Sequence, residues 1–365
     1  MGFDSFIGNS VAVAVVREML GAGRARGALL FAGPDGVGKK TLAMMLAKAL
    51  VCERGPKDFC GECPRCRKAE EMLLLGREDL ARRREIKDAT RRVEGLVYFD
   101  LQVIEPLTRF ILTDQIRQLR NIAYTHPFEL PRRIFIVDDA HSIHWQAVDL
   151  LLKVLEEPPD TTLFILVCPD AYELRPTIRS RCLRIPFQPV EESLIVELLA
   201  KERRLTRTQQ ALAARVAAGS VARARDFDLA EYEACRRPWL DFLQAASGQG
   251  RSMPADPDLR GMLDSARALT QDREKFEETL KVGYSLLCDL LHVLLETPDD
   301  DGAIVNLDII PRLKAWASKL GLAGIEQIKS GLDQAHRLQV RNVNPQLGFE
   351  TLGIELLTGA DRRRG

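Results

Sequence analysis

The chain has 365 residues, enough for two or three domains that each bury a core of their own. Its 52 basic and 52 acidic residues balance, which excludes an overall positive field for nucleic acid and leaves only local patches open. No apolar run approaches the ~18 residues of a membrane span, and the start lacks the basic residues of a secretory signal, so we expect a cytoplasmic protein.

The first predicted functional element is a phosphate-binding loop at residues 33–41, which read GPDGVGKKT. A strand-like apolar run, Ala28–Ala32, precedes it, and apolar residues at helical spacing follow it. In such a loop the backbone N–H groups and the helix N-terminus hold phosphates, and Lys39 reaches their oxygens. The next residue should be Ser or Thr, whose hydroxyl holds Mg²⁺, but it is Lys40, and Thr41 comes one residue late, about 100° round the helix. The loop therefore predicts a P-loop fold with damaged metal chemistry.

Four cysteines cluster directly after this helix, with the spacing C-x₇-C-x₂-C-x₂-C. They are Cys52, Cys60, Cys63 and Cys66. Two overlapping C-x₂-C knuckles and a fourth thiolate suit tetrahedral Zn²⁺ with every position filled, so the metal would be structural. The alternative is four unliganded thiols in a loop, but free cysteines rarely cluster in this way. We therefore expect a zinc-binding insert at residues 52–66.

Charged residues of both signs alternate along residues 67–97. This pattern predicts a helical insertion with a solvated face. A basic helix that faces DNA is the alternative, and the interspersed acidic residues argue against it.

Two acidic residues, Asp138 and Asp139, end a second buried-strand candidate, Ile134–Val137. At the carboxyl end of a strand beside a P-loop, Asp138 would hold Mg²⁺ directly or through water, and Asp139 stands where many ATPases have a glutamate that orients the attacking water. A third candidate is Leu163–Val167, and the alternation of short apolar strands with helical pattern predicts a parallel sheet with crossover helices. The residues expected at this degenerate nucleotide site are Gly33, Gly36, Gly38, Lys39, Lys40, Thr41 and Asp138.

A single arginine, Arg181, follows the third strand candidate in the segment Ser180-Arg181-Cys182. An arginine just past a core strand can project into the nucleotide site of a neighbouring subunit, where its guanidinium stabilises charge on the γ-phosphate. A lone arginine in this position is usually a surface residue, so the prediction depends on the motifs around it.

Composition divides the chain into three parts. An α/β unit covers residues 1–188, a smaller helical segment covers 189–248, and a mostly helical part covers 255–365, with a linker-like composition at 247–254. In the last part, apolar residues at steps of three and four predict one buried helix face. They are Phe276, Leu280, Tyr284, Leu287, Leu291 and Leu294.

The order of these motifs resembles the clamp-loader branch of the AAA+ ATPases, the gamma/tau and delta-prime subunits of bacterial DNA polymerase III. The resemblance covers nearly the whole chain. It is carried by Phe6-Ile7-Gly8, the loop at 33–41, the four cysteines, Asp114-Gln115-Ile116-Arg117, the Leu151–Pro159 helix, Ser180-Arg181-Cys182 and Arg341–Pro345. It implies an α/β plus all-α protein: a RecA-like AAA+ P-loop module with a zinc insert, a small helical lid domain at 189–248 and a C-terminal helical collar at 255–365.

Four departures from the family pattern concern metal and phosphate chemistry. Lys40 replaces the hydroxyl and Asp139 replaces a glutamate. Cys168 and Ala222 stand where the family has polar sensor residues, the second of them an arginine. Arg181 is retained. The combination resembles delta-prime subunits, which supply an arginine finger to the adjacent ATPase subunit, so we expect no intrinsic catalysis and leave ATP and Mg²⁺ binding at the loop open.

The resemblance implies partners as well. They would be delta and gamma/tau subunits in a hetero-pentamer, which opens the sliding clamp and loads it on primed DNA with ATP. Two other interpretations remain. A catalytically active gamma/tau-type ATPase would show ATP turnover of its own, and Lys40 argues against it. A zinc-bearing nucleic-acid-binding protein on a degenerate AAA+ fold would bind DNA in a salt-sensitive manner, and the balanced charge argues against that.

Overall fold

The chain forms two compact units. The first comprises Met1–Lys201 with Ala217–Arg225, and the second comprises Glu202–Val216 with Asp226–Gly365. The computed structural model describes residues 2–55, 57–96, 98–202, 205–247, 257–272, 274–295, 304–340 and 344–362. Most of the linker expected at 247–254, and residues 341–343 of the C-terminal motif, lie outside the described residues, and the division into module, lid and collar stays a prediction. Within the described ranges, no helix combines the length and the apolar character needed to cross a membrane.

A five-stranded parallel sheet forms the centre of the first unit, in the order β2-β3-β4-β1-β5. The strands are β1 (Gly27–Ala32), β2 (Leu101–Ile104), β3 (Arg133–Val137), β4 (Thr162–Cys168) and β5 (Leu183–Pro186). The three central strands are buried almost along their whole length, which is why their sequences are continuous apolar runs. The expected parallel sheet is therefore confirmed.

The two edge strands, β2 and β5, do not follow from the sequence pattern. Each has only four residues, and β5 exposes Leu183 and Arg184 because it lies at the rim of the sheet. In the pairing of β2 with β3, Ile104 lies beside Val137. The residues that follow these two strands therefore emerge side by side at the carboxyl edge of the sheet.

Helices surround the sheet and make up the described part of the second unit. In chain order they are α1 (Ser10–Gly21), α2 (Lys39–Val51), α3 (Pro64–Glu85), α4 (Ala89–Val93), α5 (Thr113–Ala123), α6 (Val148–Glu156), α7 (Pro176–Arg179), α8 (Glu192–Glu202), α9 (Arg207–Val216), α10 (Val221–Asp226), α11 (Leu229–Ala246), α12 (Pro257–Ala268), α13 (Phe276–Leu294), α14 (Ile310–Val340) and α15 (Gln346–Arg362). The charged segment at 67–97 lies largely in α3, whose buried face includes Ala69, Met72 and Leu73. A break at Gly321, with φ of 59°, divides α14 into two helical pieces.

A buried ion pair fixes the chain at the amino end of β3. Arg133 Nη2 donates to Asp100 Oδ1 at 3.0 Å, and both side chains are almost fully buried. The other carboxylate oxygen accepts hydrogen bonds from the backbone N–H groups of Phe128, Glu129 and Leu130, at 2.7, 2.6 and 3.0 Å. Burial by itself would raise the pKa of Asp100, but these N–H donors and the guanidinium outweigh it and hold the pKa below its ordinary value.

The apolar stripe expected on α13 is only partly buried. Phe276, Leu280 and Leu287 are buried, and so are Leu286 and Leu290, which the stripe leaves out. The half-buried members are Tyr284, Leu291 and Leu294. The buried face of α13 is therefore rotated and wider than the sequence spacing indicates.

A buried polar cluster ties α11 and α13 of the second unit to the segment before α14. The carboxylate of Asp289 is fully buried and accepts hydrogen bonds from the backbone N–H groups of Val305 (2.8 Å) and Asn306 (3.0 Å) and from Asn306 Nδ2 (2.7 Å). The amide oxygen of Asn306 in turn accepts from the Tyr232 hydroxyl at 2.7 Å and from Arg236 Nη1 at 3.0 Å. Each buried polar group named here has a partner, so the cluster fixes the chain without leaving an unsatisfied donor.

Candidate functional site

A cavity of about 280 Å³ lies at the carboxyl edge of the sheet, within the first unit. The loop after β1, the residues after β3 and the start of α10 surround it. Of the nucleotide-site residues expected from the sequence, those that line the cavity are Gly36, Gly38, Lys39, Lys40, Thr41 and Asp138. Gly33 comes directly after β1 and faces Lys39 through its carbonyl group. The structure therefore brings the predicted nucleotide-site residues together.

The loop at 33–41 has a backbone that requires glycine. Gly36 and Gly38 have φ of 75° and 96°, a region that residues with a side chain rarely adopt. A Cβ atom on Gly36 would lie 2.0 Å from Ser220 Oγ, and one on Gly38 would lie 2.8 Å from Cζ of Phe6. The start of the chain and the residues before α10 thus pack directly on the loop.

The side chain of Lys39 is folded into the loop. It is only 6% exposed, and its ammonium donates to the carbonyl oxygens of Gly33 at 2.5 Å and Pro34 at 2.6 Å. The same ammonium lies 3.5 Å from Asp35 Oδ1. Because these acceptors are loop carbonyls, a phosphate group that enters the loop can take their place and pair with the ammonium.

The side chain of Lys40 lies between two carboxylates. Its ammonium is 3.1 Å from Asp138 Oδ2 and donates a hydrogen bond to Glu105, which directly follows β2. Burial lowers the pKa of Lys40, but the bond to Glu105 and the negative charges of Glu105 and Asp138 outweigh burial, so the pKa is raised. Arg84 Nη2, from the end of α3, holds the other oxygen of Glu105 at 2.8 Å. Lys40 is therefore a charged, fixed group at the edge of the cavity.

The two expected sensor positions lack strong polar groups. Cys168 ends β4 and is buried, which raises the pKa of its thiol to about 11 and keeps it neutral at physiological pH. Ala222 contributes only its backbone, since its N–H donates to the carbonyl oxygen of Gly36 at 3.1 Å. Arg225, one turn further along α10, lines the cavity.

Sequence reasoning missed Glu105, Arg84 and Arg225. Glu105 becomes predictable once β2 is recognised, because the carboxyl ends of neighbouring parallel strands meet at one edge of the sheet. Arg225 lies three residues after Ala222, which is the spacing of one helix face. No sequence signal separates Arg84 from the other arginines of α3.

Arg181 is not among the residues that line the cavity of its own chain. It follows α7, and its guanidinium contacts Glu156 Oε1 at 2.6 Å and the carbonyl oxygen of Thr177 at 2.9 Å. Its side chain is 34% exposed. Glu156 belongs to α6, the helix that ends before Pro158 and Pro159, so two of the predicted motifs meet here.

The four expected cysteines form one cluster, in which the sulfur atoms all lie within 4.8 Å of one another. Cys63 caps the N-terminus of α3, where its sulfur accepts the N–H of Cys66 at 3.4 Å, and both residues are buried. The sulfurs of Cys52 and Cys60 are 3.7 Å apart, as expected for two thiolates bound to one Zn²⁺ at about 2.3 Å each. The cluster is therefore compatible with a structural zinc ion whose ligand shell is complete.

The sheet, the loop after β1 and the acidic residue after β3 define the class of protein, a P-loop fold in which the ammonium of Lys40 lies 3.1 Å from a carboxylate oxygen of Asp138. The chain belongs to the family described as "DNA polymerase III, delta subunit", whose sequence model matches residues 8–191, about half of the chain. This is the clamp-loader family that also contains the gamma/tau subunits.

Curated relatives are named gamma and tau subunits of DNA polymerase III. The chain is 30% identical over 198 residues to the gamma subunit of Buchnera aphidicola, an alignment that covers 54% of this chain and 48% of the relative. It is 30% identical over 275 residues to the tau subunit of Escherichia coli, covering 73% and 37%. The chain thus spans about half or less of the length of these relatives. Among solved structures, it is similar to a gamma subunit-related protein of Thermotoga maritima, with 16% identity, coverage of 94% and 98%, and a TM-score of 0.42.

Proposed function

We propose that the chain is a delta-prime-like clamp-loader subunit, which does not hydrolyse ATP and supplies Arg181 to the nucleotide site of an adjacent gamma/tau-type subunit. The observation that carries the proposal is the ion pair between the ammonium of Lys40 and the carboxylate of Asp138. In P-loop ATPases, a loop hydroxyl and a carboxylate at the position of Asp138 hold the Mg²⁺ that neutralises charge on the phosphates. Here the hydroxyl is missing and the carboxylate is already paired. The neutral side chains of Cys168 and Ala222 support the same conclusion.

The environment of Arg181 supports its role as a finger in trans. Its ion pair with Glu156 joins two partly exposed side chains, and such pairs contribute only about 0–1 kcal/mol. A phosphate of a neighbouring subunit, with more negative charge, can therefore take Arg181 from Glu156 at little cost.

Further roles follow from membership in this assembly. We propose that Zn²⁺ on the four cysteines is structural, that the helical segments at 189–248 and 255–365 act as lid and collar, and that the collar joins the chain to delta and gamma/tau subunits in a hetero-pentamer. The complex would then act on the sliding clamp and on primed DNA.

The test is ATP hydrolysis by the reconstituted complex, with primed DNA and clamp present, comparing the wild-type chain with Arg181→Ala. We expect the rate of hydrolysis at the adjacent site to fall by a factor of roughly 10³–10⁵, as with other arginine fingers. The total ATP turnover of the complex should therefore lose the contribution of that site. Arg179→Ala removes a neighbouring positive charge and is the matched control. A complex with Arg181→Ala that hydrolyses ATP like the control would contradict the proposal.

A second candidate is a gamma/tau-type ATPase, which the names of the curated relatives favour. In that case the isolated chain would hydrolyse ATP in the presence of Mg²⁺, and Lys39→Ala would abolish the activity. The finger proposal predicts no such turnover.

A further inference from the structure

The structure places the ammonium of Lys40 on Asp138, the carboxylate that would hold Mg²⁺ in a P-loop ATPase with an intact site. We infer that Lys40 serves as a built-in cation of the cavity, and that the loop binds the phosphates of a nucleotide without Mg²⁺. This inference takes the cavity to be the degenerate nucleotide site that the sequence predicts in the proposed clamp-loader subunit, and it does not depend on Arg181.

The residues at the cavity do not fit Mg²⁺. This ion requires oxygen ligands in near-octahedral geometry at 2.0–2.1 Å and gives up its water reluctantly. At the expected position, Asp138 Oδ2 is 3.1 Å from the Lys40 ammonium, and the residue after Lys39 has no hydroxyl. A metal ion would have to displace an ammonium that two carboxylates hold, or share their charge with it, and like charges so close repel.

The contacts of Lys40 show that it is built into the site. Glu105, whose side chain is 17% exposed, pairs with Lys40 on one side and with Arg84 on the other. The two positive groups lower the pKa of Glu105 even though its burial acts in the opposite direction. Lys40 and Arg84 together therefore balance the charges of Asp138 and Glu105, and an incoming phosphate does not face these two negative charges uncompensated.

The rest of the loop retains what phosphate binding requires. Lys39 is held by carbonyl oxygens that a phosphate can replace, and the N-terminus of α2 begins at this residue. Gly36 and Gly38 allow the positive φ angles of the loop and have no side chain that would block a phosphate. Arg225 lines the same cavity. The Lys39 ammonium and the backbone N–H groups at the start of α2 bind phosphate without the hydroxyl that Lys40 replaces.

The test is a calorimetric titration of the purified full-length chain with ATP and with ADP, once in Mg²⁺ and once in EDTA. We expect the wild-type Kd to differ by less than about threefold between the two conditions, since the cation is already present in the protein. In Lys40→Thr, which restores the hydroxyl and frees Asp138, we expect Mg²⁺ to tighten binding at least about tenfold. Lys48→Thr removes a lysine from the same helix outside the cavity, and it should behave as the wild type.

Three outcomes would overturn the inference. The first is tenfold tighter wild-type binding in Mg²⁺, and the second is a Lys40→Thr variant that is as indifferent to Mg²⁺ as the wild type. The third is no binding in either condition, which leaves the Arg181 proposal intact because that proposal is measured on the neighbouring subunit. The wild-type comparison decides the matter even if a variant does not fold.

Discussion

The ion pair of Asp100 with Arg133 allows a quantitative prediction about the first unit. Asp100→Asn keeps the size of the side chain and one acceptor oxygen but removes the negative charge. Arg133 then remains almost fully buried without its counter-charge. Breaking a buried pair in this way costs about 3–5 kcal/mol of the free energy of unfolding. We expect a loss in this range at pH 7.

The effect should depend on pH in a defined direction. The pKa of Asp100 is lowered in the folded state, so its ionised form contributes stability in full above the ordinary Asp pKa of about 3.9. That contribution is lost as the pH falls through the lowered, folded-state pKa. The difference between wild type and Asp100→Asn should therefore be constant near neutrality and shrink in acid.

The assay is urea denaturation, read by hydrogen–deuterium exchange of peptides from β3 and β4, which report the first unit alone. The control is Asp114→Asn, which breaks an exposed ion pair with Arg117 and should cost less than about 1 kcal/mol. If Asp100→Asn costs no more than the control, or if the difference from wild type grows in acid, the pair does not stabilise the first unit in this way.

Two further predictions concern the metal cluster and the second unit. Cys63→Ser should reduce bound zinc, measured by elemental analysis, well below one ion per chain. Cys288→Ser changes an exposed cysteine outside the cluster and should leave the zinc content unchanged. Equal zinc content in both variants would contradict the assignment of a zinc site to the four cysteines. Asp289→Ala should lower the free energy of unfolding by roughly 3 kcal/mol, because it leaves the two buried donors of Asn306 and the half-buried N–H of Val305 without a partner. Hydrogen–deuterium exchange of α13 peptides would show the loss. Glu277→Ala, on the exposed face of the same helix, should change it by less than about 0.5 kcal/mol, and similar losses in both would argue against the cluster.

The sequence predicts the centre of the first unit because strands that are buried on both faces have apolar sequences. β1, β3 and β4 are such runs. The glycines of the loop indicate a backbone geometry that other residues rarely adopt. The cysteine spacing likewise predicts a cluster that the fold assembles. These features are local, so composition and spacing are sufficient to find them.

Contacts between segments that are distant in the chain could not be predicted from the sequence. The absence of a hydroxyl after Lys39 is visible in the sequence, but the two carboxylates that hold Lys40 are not. Glu105 reaches Lys40 only because β2 pairs with β3, and β2 is too short to be recognised. The stripe on α13 shows the same limit, since Leu291 and Leu294 have the right spacing but are only half-buried.

The absence of intrinsic ATP hydrolysis by this chain can be tested without any partner. We would measure Mg²⁺-dependent ATP hydrolysis by the purified chain and compare it with Lys39→Ala. We expect no difference between the two, because the carboxylate of Asp138 is paired with Lys40 and the loop hydroxyl is missing. Turnover by the wild-type chain that disappears in Lys39→Ala would contradict this expectation and would show that a P-loop with this lysine sustains catalysis.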